Sequence, residues 1–200
     1  LKEARVWGDR VQAKDMEGRE DLREVECVTI DPTTAKDFDD ALSVVKTARG
    51  AYHLGVHIAD VAHYVESGSH LDREARRRCN STYFPGRCVP MLPHELSDNL
   101  CSLKPEVNRL AVTVFMEFSP SGEMKRYRIA RSVIRSAKRF TYEEALQVLD
   151  VTNAERELDI KYDLMNSLME QAKAERNAQA ARDAAEICSA ILRKNIAYRD

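Results

Sequence analysis

The sequence predicts an α/β fold: a mixed, largely antiparallel sheet with flanking helices, followed by a helical C-terminal segment. Three observations predict it. Short apolar, β-branched runs are punctuated by turn residues, as strands are. Two segments between them open on helix-capping patterns. No Gly or Pro occurs after Gly122 and Ala is frequent beyond Ala154, so nothing there interrupts a helix.

In chain order, residues 1–24 read as a lead-in segment. "VECVTI" (25–30) reads as a buried strand ending at Asp31. "ALSVV" (41–45) and "YHLGVHIA" (52–59) read as two more strands, with "TARG" (47–50) as the turn between them. "SHLDREARRRC" (69–79) reads as a helix capped by Ser69, with Asp72 where a capping-box acid belongs. "YFPGRCVPMLP" (83–93) has three prolines and a glycine, which predicts irregular chain. "LAVTVFMEF" (110–118) and "KRYRIARSVI" (125–134) read as strands joined by the turn "SPSGE". Thr141 and Glu144 form a second capping box, opening the helix "YEEALQVL". From about Ala154 one or two long helices follow, with Leu164, Leu168, Ala172 and Glu175 at helical spacing. The expected divisions are therefore 1–24, 25–150 and 151–200.

The 200 residues are 44% apolar and 32% charged, enough to bury a core and remain in solution. No apolar run approaches the length of a membrane span, so no membrane partner is expected. The N-terminus "LKEARVWGDR" has no signal-peptide pattern and no initiator Met, so a longer parent is expected. Cys27, Cys79, Cys88, Cys101 and Cys188 are odd in number, scattered, and form no CxxC pair. That argues against a disulfide framework and a zinc ribbon, and suits free thiols in a reducing cytoplasm.

The segment with the clearest chemistry is "DPTTAKDFDDAL" (31–42). It gathers Asp31, Asp37, Asp39 and Asp40, and like charges repel by roughly 1 kcal/mol per pair at 4 Å even in water. Lys36 is the only basic residue inside it. The segment lies between two strands, where a rigid scaffold can present functional groups. Short carboxylates with few basic partners suit a hard divalent cation, Mg²⁺ or Mn²⁺. An EF-hand does not fit: counted from Asp31, Lys36 stands where Gly is needed and Leu42 where a bidentate Glu is needed. An aspartyl phosphotransferase fits poorly, because "TTAK" before Asp37 is not a buried strand. An acidic surface loop that binds nothing is the bland alternative, but Asp31 directly follows a buried strand and Phe38 sets an apolar anchor among the acids. There is no P-loop and no GxGxxG. Carboxylate-held cations can activate water for in-line attack at phosphorus, so phosphodiester hydrolysis is the natural chemistry.

Net charge is −2, but its distribution is uneven. Residues 14–40 hold ten acidic and four basic side chains. Lys125, Arg126, Arg128, Arg131, Arg135, Lys138 and Arg139 form a basic strip, and Arg76, Arg77 and Arg78 a second. Basic strips beside an acidic centre suit an anionic polymer brought to a metal; solvated faces are the alternative.

Several blocks, in order, resemble the ribonuclease II and ribonuclease R exoribonucleases, the RNB family. They are "TIDPTTAKDFDDAL", "GVHIADVAHYV" (55–65), "LDREARRRCNSTYFPGRCVPMLPHELSDNLCSLKPEVNRLAVTVFMEF" (71–118) and "RSVIRSAKRFTYEEA" (131–145). The "DFDDAL" form is similar to bacterial ribonuclease R. The resemblance covers roughly residues 18–150 and implies that 25–150 is the N-terminal half of the catalytic domain. It implies Mg²⁺-dependent, processive 3′→5′ hydrolysis of single-stranded RNA to nucleoside 5′-monophosphates. It further implies that Asp31 and Asp40 ligate the metal directly, that Asp37 helps hold it, and that Asp39 matters most to the chemistry. Tyr83 resembles the aromatic that stacks on a terminal base; read alone, a Tyr before Pro-Gly suggests core packing. Arg78, Arg109 and Arg131 are candidate phosphate contacts. His57 reads as a hydrogen-bonded core histidine rather than a ligand.

Family members continue well past the length of this chain, with RNA-binding domains on either side and a later Arg and Glu that complete the site. No counterpart to these is found within the chain, so half an active site is expected. A monomer is expected, with RNA-decay machinery as a possible partner class. A non-catalytic RNA-binding or scaffold protein that kept the fold is the alternative, and four retained, mutually repelling aspartates argue against it.

Overall fold

In the computed structural model, which describes residues 1–84 and 87–149, the apolar runs become strands of one sheet. In chain order the elements are α1 (Lys2–Arg5), α2 (Ala13–Met16), β1 (Glu20–Leu22), β2 (Val28–Asp31), β3 (Asp40–Lys46), β4 (Tyr52–Ala59), α3 (Val61–Tyr64) and α4 (His70–Arg78). They continue with β5 (Thr82–Phe84), β6 (Arg87–Val89), a π-helical turn (Leu96–Leu100), β7 (Asn108–Phe118), β8 (Met124–Arg135), β9 (Lys138–Thr141) and α5 (Tyr142–Leu149). The sheet has seven strands in the order β1-β8-β7-β4-β3-β2-β9. Its central pairings are antiparallel; the two edges, β1 on β8 and β9 on β2, are parallel. The sheet is therefore mixed and largely antiparallel, as the hairpin turns predict. The helical segment expected over 151–200 lies outside the described residues.

Both capping predictions correspond to real hydrogen bonds. Ser69 accepts from the Asp72 N–H at 3.1 Å, while the Asp72 carboxylate reaches back to Gly68 N. Thr141 and Glu144 cap reciprocally at 3.0 and 2.7 Å. Part of the segment expected to be irregular forms a hairpin, in which β5 and β6 pair with Tyr83 opposite Cys88; from Pro90 to Pro93 the chain is irregular. Thr82, Tyr83 and Phe84 favour extended chain.

One face of the sheet packs against the segment around the π-helical turn. Leu96, Leu100, Leu103, Leu110 and Ile134 are fully or almost fully buried there. Residues 1–24 share this core. Ala4 is fully buried, the Trp7 indole donates to the Tyr64 carbonyl at 3.1 Å, and Arg19 pairs with Asp60 at 2.7 Å. Toward the other edge, Ala145 and Val148 of α5 pack on Val28 and Phe140. No helix among the described residues is long and apolar enough to cross a membrane. Cys27, Cys79, Cys88 and Cys101 are unbridged.

His57 lies wholly inside, as a core histidine. One ring nitrogen bonds Ser43 Oγ and the other Thr113 Oγ1, each at 2.9 Å, and Thr113 continues to Ser132 at 2.6 Å. A polar ladder thus crosses β3, β4, β7 and β8. It leaves no room at Gly55, where a Cβ would collide with the Ser43 hydroxyl. Burial pushes His57 down to about 4, from 6.5. The unfolded chain then binds the extra proton first, so His57 contributes stability above pH 6.5 that is lost as pH falls toward 4. The lost contribution is about 3 kcal/mol. Comparing the pH dependence of urea midpoints for wild type and His57→Gln isolates it: the substituted protein lacks this component of the acid slope.

Candidate active site

β2 and β3 are neighbours but register only at Val28 and Leu42. Their far ends part, and the acidic loop fills the gap between Asp31 at the end of β2 and Asp40 at the start of β3. The loop is held from several sides. The Ala59 N–H from β4 donates to the Asp39 carbonyl at 2.9 Å. The Phe38 N–H donates to Ser102 Oγ at 3.1 Å, and Ser102 Oγ donates to the Lys36 carbonyl at 2.7 Å. The Leu103 N–H donates to the Phe38 carbonyl at 2.8 Å. Phe38 is buried in the main core as the apolar anchor. Arg139 donates to the Pro32 carbonyl and holds its guanidinium over the Phe38 ring.

The electrostatics separate the aspartates. Asp31 is 7% exposed, and its Oδ2 is buried without a hydrogen-bond partner. Burial pushes its carboxyl up to about 7, aided by the Asp40 and Asp39 charges and opposed by the Thr29 hydroxyl and Arg139. Asp39 is raised to about 6, first by the dense packing around it and then by Asp37 and Asp40. Its own surface is nevertheless open to solvent, and water screens part of that shift. Asp37 is engaged elsewhere: the Tyr83 hydroxyl donates to its Oδ2 at 2.7 Å.

Tyr83 is 62% exposed, so it is not a core residue. Its β-hairpin holds it beside the acidic loop with an open ring face, as a stacking aromatic needs. Arg78 is bound to Glu74 at 2.9 Å and to the Pro90 carbonyl at 2.8 Å. Arg131 is exposed and leans toward Asp60 at 3.8 Å. Arg109 departs from the expected phosphate contact. It is 4% exposed, and its guanidinium is spent on the Ser102 and Asn108 carbonyls and Asn99 Oδ1. The basic strips are also largely matched by acids. Arg126 pairs with Glu117, Arg128 with Glu20, Lys125 with Glu123, Arg76 with Asp72, and Arg77 with Glu74. The solvated-face reading therefore describes them better than an open cationic track.

Two residues that position the loop were not singled out by the sequence. Arg139 sits opposite Thr29 in the parallel β2/β9 register, two residues from the Asp31–Thr141 pair, and so faces the same side as Asp31. Ser102 is fully buried between apolar neighbours. A small hydroxyl in such a run requires partners, which was the available signal.

The donors fit a hard divalent cation. They are carboxylate oxygens, and Asp31 Oδ2 is a buried acceptor that a cation would satisfy. The full cage expected from four aspartates is not assembled, however. Among the described residues no three His, Cys, Asp or Glu side chains are grouped to hold a metal, and Asp37 is turned to Tyr83.

Comparison with known proteins adds to this geometry. A profile of the RNB domain matches residues 19–197. Ribonuclease R of Chlamydia pneumoniae is 55% identical over 150 residues, 75% of this chain and 22% of that protein. Ribonuclease R of Thermotoga maritima is 45% identical over 184 residues, 92% of this chain and 26% of that protein. The chain thus spans about a quarter of the length of these curated relatives. The solved Mycoplasma genitalium RNase R in complex with ribose-methylated single-stranded RNA superposes with a TM-score of 0.71 at 36% identity, covering 83% of this chain and 27% of that one. Yeast Ssd1, described as a pseudonuclease, shares the fold at a TM-score of 0.67 and 23% identity, covering 82% of this chain and 20% of that one.

Proposed function

The chain belongs to the RNB-domain family, and we propose that it forms the acidic centre of a hydrolytic, Mg²⁺-dependent, processive 3′→5′ exoribonuclease. The substrate is single-stranded RNA and the products are nucleoside 5′-monophosphates. The observation that carries this reading is the buried Asp31 carboxylate, with an unpartnered oxygen, in the shared field of Asp39 and Asp40. A buried ionised carboxylate flanked by two like charges is unfavourable unless a proton or a cation completes it, and a divalent cation can displace that proton near neutral pH. The ribonuclease R relatives supply the reaction class. The fold alone does not, since a pseudonuclease shares it.

In this reading Asp31 and Asp40 would hold the ion, and Mn²⁺ could replace Mg²⁺. When bound, the ion supplies Lewis acidity at the scissile phosphate and lowers the pKa of water. Asp39, raised to about 6 and open to solvent, is ionised at neutral pH and takes the proton of the attacking water. Asp37 orients Tyr83 through their hydrogen bond and would help hold the ion. The Tyr83 ring stacks on the terminal base, an interaction of about 1–3 kcal/mol that tolerates any sequence. Arg131, exposed at the surface, is the better-placed phosphate contact, since Arg78 is held by Glu74 and the Pro90 carbonyl; the described cysteines, none of them bridged, suit a reducing cytoplasm.

The test is end dependence in the full-length protein. Linear single-stranded RNA is degraded with Mg²⁺ and spared with excess chelator, and circular RNA of the same sequence is spared in both. Degradation of the circle would replace the exonuclease with an endonuclease. A second reading, a non-catalytic RNA-binding protein, draws on the unassembled carboxylate cage; RNA binding without degradation under any divalent ion would favour it.

A further inference from the structure

We propose that Ser102, braced by Arg109, is the positioning residue that sets the spacing of the aspartates in the acidic loop; this rests on reading the loop as a cation-binding hydrolytic centre. Ser102 is fully buried and touches no carboxylate. It acts through backbone. Its hydroxyl accepts from the Phe38 N–H at 3.1 Å and donates to the Lys36 carbonyl at 2.7 Å. The next N–H, that of Leu103, donates to the Phe38 carbonyl at 2.8 Å. Three hydrogen bonds therefore clasp residues 36–38, which contain Asp37 and lead directly into Asp39. The opposite side of Asp39 is fixed by the Ala59 N–H from β4.

The clasp is itself held. Arg109, on β7, donates from Nε to the Ser102 carbonyl at 2.7 Å and through its other nitrogens to the Asn108 carbonyl and Asn99 Oδ1 at 3.0 and 3.1 Å. A buried guanidinium remains favourable only while such acceptors surround it. Its fork ties the end of the π-helical turn to a central strand, so the Ser102 hydroxyl stands at one place relative to the sheet. Removing that hydroxyl leaves the buried Phe38 N–H unpartnered and the Lys36 carbonyl without its donor. The loop is then free to shift Asp37 and Asp39 together.

Two readouts test this in the chain as described. Hydrogen exchange is followed across the amides of 33–41 and, for reference, of 110–134. Mn²⁺ affinity is measured by titration with Mn²⁺ alone, under conditions where every variant is folded. Ser102→Ala is expected to speed exchange across the loop about tenfold or more while the reference strands keep their rates, and to weaken Mn²⁺ binding about five- to tenfold. Ser102→Thr keeps the hydroxyl and is expected to restore both; Arg109→Lys, which keeps the charge but loses the fork, falls between. Unchanged loop exchange in Ser102→Ala overturns the proposal. So does faster exchange with unchanged Mn²⁺ affinity, provided Asp31→Asn weakens that affinity in parallel. If wild type and Asp31→Asn bind Mn²⁺ equally, the metal reading of the loop fails and the proposal falls with it, while the loop exchange still reports whether Ser102 holds the backbone.

Discussion

Asp39→Asn lowers the rate of RNA hydrolysis by about 10²- to 10⁴-fold, the range expected for loss of a proton acceptor, and leaves RNA binding intact. The amide has the carboxylate's shape but cannot take a proton at neutral pH. The main chain at this position is held by the Ala59 N–H on the Asp39 carbonyl at 2.9 Å, so the substitution leaves the backbone in place. The side chain is open to solvent, so no packing is lost. Removing one negative charge from the cluster also relieves repulsion, and RNA affinity is expected to hold or rise slightly. Single-turnover cleavage and equilibrium binding, measured on the same preparation, separate the two effects. A rate loss of less than about tenfold would transfer the proton-accepting role away from Asp39.

Mg²⁺ is expected to stabilise the fold, with a gain that grows with pH. Asp31 stands near 7 in the folded chain against 3.8 when unperturbed. A carboxyl raised on folding contributes stability that is present below the unfolded value and lost as pH rises through the folded one. Without a cation, the folded protein therefore loses roughly 4 kcal/mol at this group between about pH 4 and pH 8. A divalent ion competes with the proton for the same oxygens, so its binding strengthens over that window. At ten- to a hundredfold excess over its Kd, Mg²⁺ stabilises by about 1–3 kcal/mol. The expected result is a small Tm gain near pH 5, rising to a plateau near pH 8. Asp31→Asn removes both the pH dependence and the gain. His57 acts in the opposite direction over part of the range, losing stability as pH falls toward 4, so the comparison is between matched pH values with and without Mg²⁺.

Much of the sheet was legible because its central strands are apolar, β-branched runs bounded by turn residues, and both capping boxes were legible as spacings. The edge strands were not. β1 is Glu20, Asp21 and Leu22, and β9 begins Lys138-Arg139; neither shows strand patterning. Both are strands only because β8 and β2 offer parallel partners far away in sequence. The β5/β6 hairpin was obscured by the three prolines and the glycine of segment 83–93. In the acidic loop the residue types were informative and most of the geometry was not. The burial of Asp31 at a strand end was legible from the apolar run before it, whereas the Tyr83 hydroxyl on Asp37 was not. Arg109 and Arg139 carry the same charge as the surface arginines, but their duty depends on burial. Arg109 braces Ser102 from within, and Arg139 reaches the loop only through the β2/β9 register.

The central claim is that this loop hydrolyses RNA from a 3′ end. The most direct measurement is the identity of the nucleotide released from single-stranded RNA carrying a label in its 3′-terminal residue, with Mg²⁺ and the full-length protein. The account predicts that the label appears at once as a nucleoside 5′-monophosphate and that Asp39→Asn all but abolishes its release. Label appearing first in oligonucleotides, in a 3′-phosphate, or equally with Asp39→Asn would contradict it.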